Sequence, residues 1–510
     1  MEKSVLLALG VSFLLVVVLS KLKSFRAIPK LNLPPGPWTL PVIGSIHHLI
    51  GGQNICRAMR GLARKHGPLM QVWFGELPAV VASSPEAAEA ILRTHDLAFA
   101  DRYCSTTLRT ITFDAADMAF APYGERWRQL RKICVLEALG AAKVRSSRRV
   151  REEEASRMVL DLAAASSPDA AAVDLTGRMA KLVNDTVVRA SIGGRCEHRD
   201  EFLDALATSV SLSSGMNVAD VFPSWRLMRV LGSSVRRALD TRRRMKRIIE
   251  QVIQERKEFM AANSCGEGEP AADECFLDVL LRLQREGSSP IQITNDTMVA
   301  LLFDMFAGGT ETTATALNWT MAELIRSPRV MAKVQAEVRL ALQGKNTVTE
   351  DDITELTYLK MVIKEALRLH CPVPFLGPRK CRETCQVMGY DILKDTTVLV
   401  NVWAICRDSK YWDEPEEFKP ERFEDSTIDF KGTYFEFLPF GAGRRMCTGV
   451  TQGLASMEIA LASLLYHFDW KLPNGMDPKD VDMEDAPGIV SAKRTRLLVY
   501  PITRIPPSNA

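Results

Sequence analysis

Histidine is scarce in this chain. The seven residues among 510 are scattered, which argues against a histidine-rich metal site. Charge of one sign is also missing. A formal net charge of +3 with 25% charged residues gives no strongly basic domain of the kind that binds nucleic acid. Cysteine is thin for such a length: eleven residues, odd in number and spread from Cys56 to Cys447. That pattern does not fit a small secreted disulfide scaffold and points to a reducing compartment. Cys381 and Cys385 stand four apart, but no second Cys or His pair follows at a zinc-finger spacing, so they read as two unrelated thiols. No internal repeat is visible. No glycine-rich flavin or nicotinamide fingerprint occurs in the strand–turn–helix context that such a fingerprint needs.

What is present begins at the N-terminus. Val5 to Ser20 carries no charge and is followed by Lys21, Lys23, Arg26 and Lys30. As a helix it would span about 24 Å, slightly short of the roughly 30 Å hydrocarbon core, a difference that Leu22 and snorkelling lysines can cover. The rival is a cleaved signal peptide, but the run ends Val18-Leu19-Ser20-Lys21 without the usual small residues. Positive charge after the span leaves the remainder in the cytosol. The expected organisation is an anchor over 1–22, a basic linker and proline-rich hinge (Leu33-Pro34-Pro35-Gly36-Pro37) over 23–40, and one catalytic domain over 41–510.

An apolar fraction of 46% is ample for a large core. Met70–Phe74 and Ala79–Ala82 read as strands separated by the turn signal Gly75-Glu76-Leu77-Pro78. Beyond them the pattern is mostly helical. Asn263 to Glu274 is a surface loop, with no domain boundary there. The longest helix should run from about Thr294 to Arg326 and stop before Ser327-Pro328. It is apolar on nearly every face from Met298 to Phe306, as a buried central helix would be. Gly308 and Gly309 interrupt it at a cost of about 2 kcal/mol, so a bend or a close approach to the backbone is expected.

Three segments carry chemistry. Phe440-Gly441-Ala442-Gly443-Arg444-Arg445-Met446-Cys447-Thr448-Gly449 forms a tight glycine loop ahead of a helical stretch, Gln452 to Tyr466. A cysteine so placed is favoured as a metal-bound thiolate. Glu365 and Arg368 lie three apart on one helix face and can pair, with Pro420-Glu421-Arg422-Phe423 downstream. Ala307 to Thr313 places Glu311 and Thr312 within the long helix, where a plain polar stripe with back-bonded threonines is the competing reading.

Together these motifs resemble the cytochrome P-450 superfamily, and the fragments LNLPPGPWTLPVIGSIHHLI and KMVIKEALRLHCPVP resemble its plant microsomal class, especially grass oxygenases of sesquiterpenes and diterpenes. The resemblance implies a mainly α fold with small β-sheets around a long central helix, and haem b as cofactor. It implies Cys447 as the iron ligand, with Phe440 and Gly441 in the cofactor loop and Arg445 on a propionate. Trp127 and Arg131 match a family W-x-x-x-R motif and Arg379 a further propionate ligand, although each arginine could simply face solvent. Glu311 and Thr312 would serve proton delivery. Glu365, Arg368 and Arg422 would form a buried supporting network. The resemblance further implies monooxygenation of a lipophilic small molecule with O2, NADPH–cytochrome P-450 reductase as electron donor, and a single-pass position in the endoplasmic reticulum membrane. Arg126, Arg128 and Lys132 could dock the reductase or be an ordinary solvated face. Thr106 to Met118, Val373 to Leu376 and Gly488 to Val490 should line the pocket. Phenylpropanoid, indole or fatty acyl substrates, a haem-thiolate isomerase or dehydratase, and a non-enzymatic haem sensor remain as alternatives.

Overall fold

Helices dominate the computed structural model, which describes residues 31–49, 54–166, 171–213, 217–225, 232–263 and 274–507. The expected anchor over 1–22 and residues 23–30 of the linker lie outside the described residues, as do 264–273 of the surface loop. Among the described residues no helix is long and apolar enough to cross a membrane. Six helices frame the site: α1 (Glu125–Cys134), α2 (Leu175–Ile192), α3 (Ser233–Asn263), α4 (Asn295–Arg326), α5 (Thr357–Leu369) and α6 (Val450–His467).

Helix α4 is the expected central helix. Thr294 caps its start, accepting from the Thr297 amide at 3.1 Å, and it ends at Arg326 before Ser327-Pro328. Thr297–Phe303 and Thr315–Ile325 are buried on every face. Between these stretches Asp304, Ala307, Gly308, Glu311 and Thr312 are less buried. Their three- and four-residue spacing puts them on one side, where they front a cavity. The helix runs through both glycines. The expected close approach is found at Gly309. A Cβ there would stand 3.0 Å from Val187 on α2, whereas a Cβ on Gly308 would meet nothing within 4 Å.

Strands β1 (Leu69–Phe74) and β2 (Leu77–Ala82) form the expected hairpin, in register from Leu69↔Ala82 to Phe74↔Leu77. The turn is tighter than the sequence suggested. Only Gly75 and Glu76 lie between the strands, with Gly75 at φ +59°, and Pro78 pairs with Trp73 inside the ladder. The parallel partner on the other side of β2 begins only at Ala79, so the missing Pro78 N–H interrupts no bond there. The sheet continues through β3 (Asp101–Arg102), β4 (Arg379–Lys380) and β5 (Thr397–Val400), in spatial order β1-β2-β5-β4-β3. This order carries two basic residues to one edge, with Arg102 directly opposite Arg379.

Residues 31–40 are the described part of the expected linker and hinge, and they touch this body at Asn32 and Pro35. The Asn32 amide donates to Asp391 Oδ2 at 2.8 Å, and the Gln71 amide donates to the Pro35 carbonyl at 2.8 Å.

Candidate active site

The glycine loop before α6 adopts a shape that few residues permit. Gly441 and Gly443 have φ values of +70° and +69°. A Cβ on Gly443 would run into the Leu92 carbonyl and the Asp96 carboxylate. Asp96 in turn receives the Arg444 amide at 3.0 Å and the Arg444 side chain at 2.9 Å, fixing the loop from below. The Cys447 amide donates back to the Phe440 carbonyl at 3.0 Å. The Gly449 amide donates to Cys447 Sγ at 3.3 Å, so the loop aims a donor at the sulfur. Burial pushes the Cys447 thiol up, while that amide and Arg131 pull it down. A metal ion at the sulfur would shift the balance to thiolate. Cys447 is surrounded by protein yet opens onto a cavity of about 760 Å³.

Six arginines line the same cavity, and four of them, Arg102, Arg131, Arg379 and Arg445, are shifted downward. Burial lowers these four, and repulsion from neighbouring arginines adds to it for Arg102, Arg379 and Arg445. Arg379 falls to about 10 and Arg445 to about 9. Arg102 is held well below its ordinary value. Arg131 also lies below its ordinary value, from burial. Backbone carbonyls satisfy some of their donors. Arg131 reaches Met446 O at 2.9 Å and Arg445 reaches Ala100 O at 2.8 Å. Arg379 Nε is buried without a hydrogen-bond partner among the described residues. Like charges placed opposite one another on paired strands destabilise a sheet, so the Arg102–Arg379 pairing calls for anions between them. Two carboxylates, as on haem b, answer that demand beside a cysteine able to hold its iron. Trp127 is buried under this group, with Arg445 stacked 4.3 Å from its ring and its indole N–H on Met118 O at 3.0 Å. Arg102 was missed from the sequence. It belongs to no motif, and only the β3–β4 register reveals it.

The opposite wall is α4. Thr312 and Glu311 both line the cavity. The Thr312 hydroxyl donates to the Gly308 carbonyl at 2.6 Å, the back-bonded arrangement open to any helical threonine. Burial alone raises the Glu311 carboxyl. Of five further acids at the cavity, Asp117 and Asp304 lie closest to the arginine group and were not singled out from the sequence. Of the expected lining stretches, Leu108, Ile111, Met118, Val373, Leu376, Ile489 and Val490 reach the cavity, and so do Phe440 and Gly441. Pro374 and Phe375 are not in its wall; Phe375 packs beside Trp403.

Behind the site, α5 forms the expected network. Both Glu365 and Arg368 are completely buried and pair through two bonds of 2.8 and 2.9 Å. Arg368 also donates to the carbonyls of Cys406, Pro415 and Glu417. Arg422 reaches Glu365 Oε1 at 2.8 Å. One carboxylate serves both arginines, and backbone carbonyls take up their remaining donors.

The family model for cytochrome P450 matches residues 34–499. The chain is 58% identical to an ent-cassadiene hydroxylase of Oryza sativa subsp. japonica, an alignment that covers 100% of this chain and 99% of the relative. It is 56% identical to a dolabradiene monooxygenase and 55% identical to a zealexin A1 synthase, both of Zea mays, each alignment covering the whole of both chains. With a thiolate loop and an anion-seeking arginine set facing one cavity, and a match along nearly its whole length, the chain belongs to the cytochrome P450 family, which binds haem b.

Proposed function

We propose that the chain is a monooxygenase that inserts one oxygen atom of O2 into an apolar skeleton of sesquiterpenoid or diterpenoid size. One observation carries the reading: a single cavity joins Cys447, the Glu311–Thr312 face of α4, and the apolar side chains of Val373, Leu376, Ile489 and Val490. The relatives support the substrate class by their names, as enzymes of ent-cassadiene, dolabradiene and zealexin A1.

Haem b, when bound, supplies dioxygen binding and C–H or C=C oxidation at a thiolate-ligated iron. Cys447 would hold that iron. Arg102, Arg131, Arg379 and Arg445, with Trp127 beneath them, would hold the propionates, and Phe440 and Gly441 would flank the sulfur. Glu311 is kept toward its protonated form by burial and stands next to Thr312. A hydroxyl that donates to Gly308 can turn about χ1 to face the cavity, so Thr312 would pass on a proton that Glu311 holds. The apolar wall orients substrate. A fifteen-carbon skeleton gains about 0.8 kcal/mol per buried CH₂, whereas a carboxylate on that wall would lie unpaired at a cost of several kcal/mol.

Electrons would come from NADPH through a membrane flavoprotein reductase. Arg126, Arg128 and Lys132 are exposed on α1, although Arg128 is paired with Glu125. Residues 1–22 would anchor the chain in the endoplasmic reticulum membrane with the catalytic part in the cytosol. The test is co-expression with a plant reductase in a microbe that makes sesquiterpene and diterpene olefins, followed by product mass spectrometry. Oxygenated olefins that depend on NADPH are the expected result. Products from aromatic amino acids or fatty acids alone would overturn the substrate class. Rearrangement of an oxygenated lipid without NADPH would overturn the monooxygenase reading.

A further inference from the structure

The roof of the cavity contains an unusual turn. Phe113, Asp114 and Ala115 have successive φ values of 51°, 63° and 59°, a left-handed run without glycine. Residues with side chains persist there only when their surroundings hold them. Phe113 packs edge-on against Phe303 of α4 at 5.5 Å, and Arg242 of α3 pairs with Asp114 at 2.9 Å. Just beyond the turn Asp117 is fully buried and faces Asp304 of α4 within hydrogen-bond reach. Asp304 Oδ2 accepts the amides of Met118 at 2.6 Å and Ala119 at 3.2 Å, and Asp117 Oδ1 accepts that of Phe120 at 3.0 Å. Asp117 Oδ2 is buried with no other partner among the described residues. Two ionised carboxylates cannot share so enclosed a place, so one proton lies between them. A protonated Asp117 donating from Oδ2 to Asp304 accounts for the orphaned oxygen.

We propose that Asp117 and Asp304 form a one-proton latch that fastens the cavity roof, residues 112–120, to the central helix and so sets the shape of the cavity.

Other groups around the pair act in both directions. Arg102 and Arg445 favour ionisation, and Arg445 also reaches Met118 O at 3.4 Å. The Cys104 and Cys134 thiols and the Trp127 indole complete the surroundings. Burial outweighs the arginines. It pushes the Asp304 carboxyl up to about 7 and Asp117 well above its ordinary value. The three amide donors are already engaged, so a second negative charge would find no new donor and would face the first directly. Below about 7 both carboxyls are protonated, and above it one proton remains between them, so a protonated link joins the pair in acid and at neutrality. It is lost, with its proton released to water, as pH rises through the upper value of the pair.

Hydrogen–deuterium exchange on the haem-loaded protein tests the latch without any substrate, so its failure is distinguishable from failure of the proposed activity. Protection of the peptide over 112–120, corrected for intrinsic exchange, should fall by about tenfold or more as pH rises from neutrality into the alkaline range. A peptide within α6 should keep its protection over the same range. Asp117→Asn and Asp304→Asn each put a non-titrating amide donor across the pair and should hold roof protection flat. Wild-type roof protection that stays constant would overturn the proposal. So would an equal fall in α6, or the wild-type fall persisting in both asparagine variants.

Discussion

Thr312 shows how much one side chain's present partner leaves open. Its hydroxyl is back-bonded to Gly308, an arrangement that adds little to helix stability and tends to bend helices. Thr312→Ala removes that bond but gains helix propensity of several tenths of a kcal/mol. The melting temperature of the haem-loaded variant should therefore stay within about 2 °C of wild type. Its chemistry should change sharply. NADPH consumption should continue while peroxide replaces product, because the hydroxyl next to Glu311 is gone. Product-to-NADPH ratios measured beside peroxide release would check this, and an unchanged ratio would remove Thr312 from the proton path. Glu311, raised by burial alone, has no cationic partner among the described residues that would lower it again. That suits a group that holds a proton near neutrality better than one that stays ionised.

At the scale of elements, adjacent glycines on α4 have different reasons to be there. Gly308→Ala should stabilise the helix by about 1 kcal/mol, since its new methyl meets nothing. Gly309→Ala gains the same propensity but presses on Val187, so overpacking of about 1–3 kcal/mol should cancel or reverse it. Thermal melts of the two variants should therefore diverge, and equal shifts would show that α2 and α4 yield freely. Helix α5 offers a larger effect. Glu365→Gln leaves Arg368 and Arg422 buried without their carboxylate, a loss of about 3–5 kcal/mol that denaturant titration would read. A variant as stable as wild type would mean that the carbonyls of Cys406, Pro415 and Glu417 suffice. These elements also show what was legible in advance. The bounds of α4, the glycine loop and the Glu365–Arg368 pair could be read because local spacing or a dense motif encodes them, while Arg422 was joined to that pair by the family resemblance. Arg102 and the Asp117–Asp304 pair could not. Their meaning lies in contacts between positions far apart in the chain, and each sits in a segment of ordinary composition. The same holds for the turn at Gly75, where strand pairing drew Leu77 and Pro78 into β2.

For the molecule as a whole, the question is where the catalytic body begins. A proline-rich stretch suggested a free spacer up to residue 40, yet residues 32–35 are bonded into the body. The Asn32 amide donates to the Asp391 carboxylate and its carbonyl accepts the Asp391 amide, its side chain donates to Gly389 O at 2.7 Å, and Pro35 O receives the Gln71 amide. A Cβ on Gly36 would collide with Gln71 O, so the stretch lies flat against β1. Four hydrogen bonds at about 1 kcal/mol each depend on this contact. Two truncations follow. A chain starting at residue 31 should load haem and melt within about 2 °C of the full chain, whereas one starting at residue 41 should melt several degrees lower. The same pair separates stability from membrane attachment. The apolar run over 5–20, followed by four cations within ten residues, should keep the full chain in the membrane pellet after an alkaline carbonate wash. The chain starting at residue 31 should be released by that wash while it retains its haem. If it stays in the pellet as firmly as the full chain, attachment lies in the body and not in the run. If cutting at 41 leaves stability untouched, the contacts of Asn32 and Pro35 do not hold the N-terminal segment to the sheet in solution, and a flexible tether describes it better.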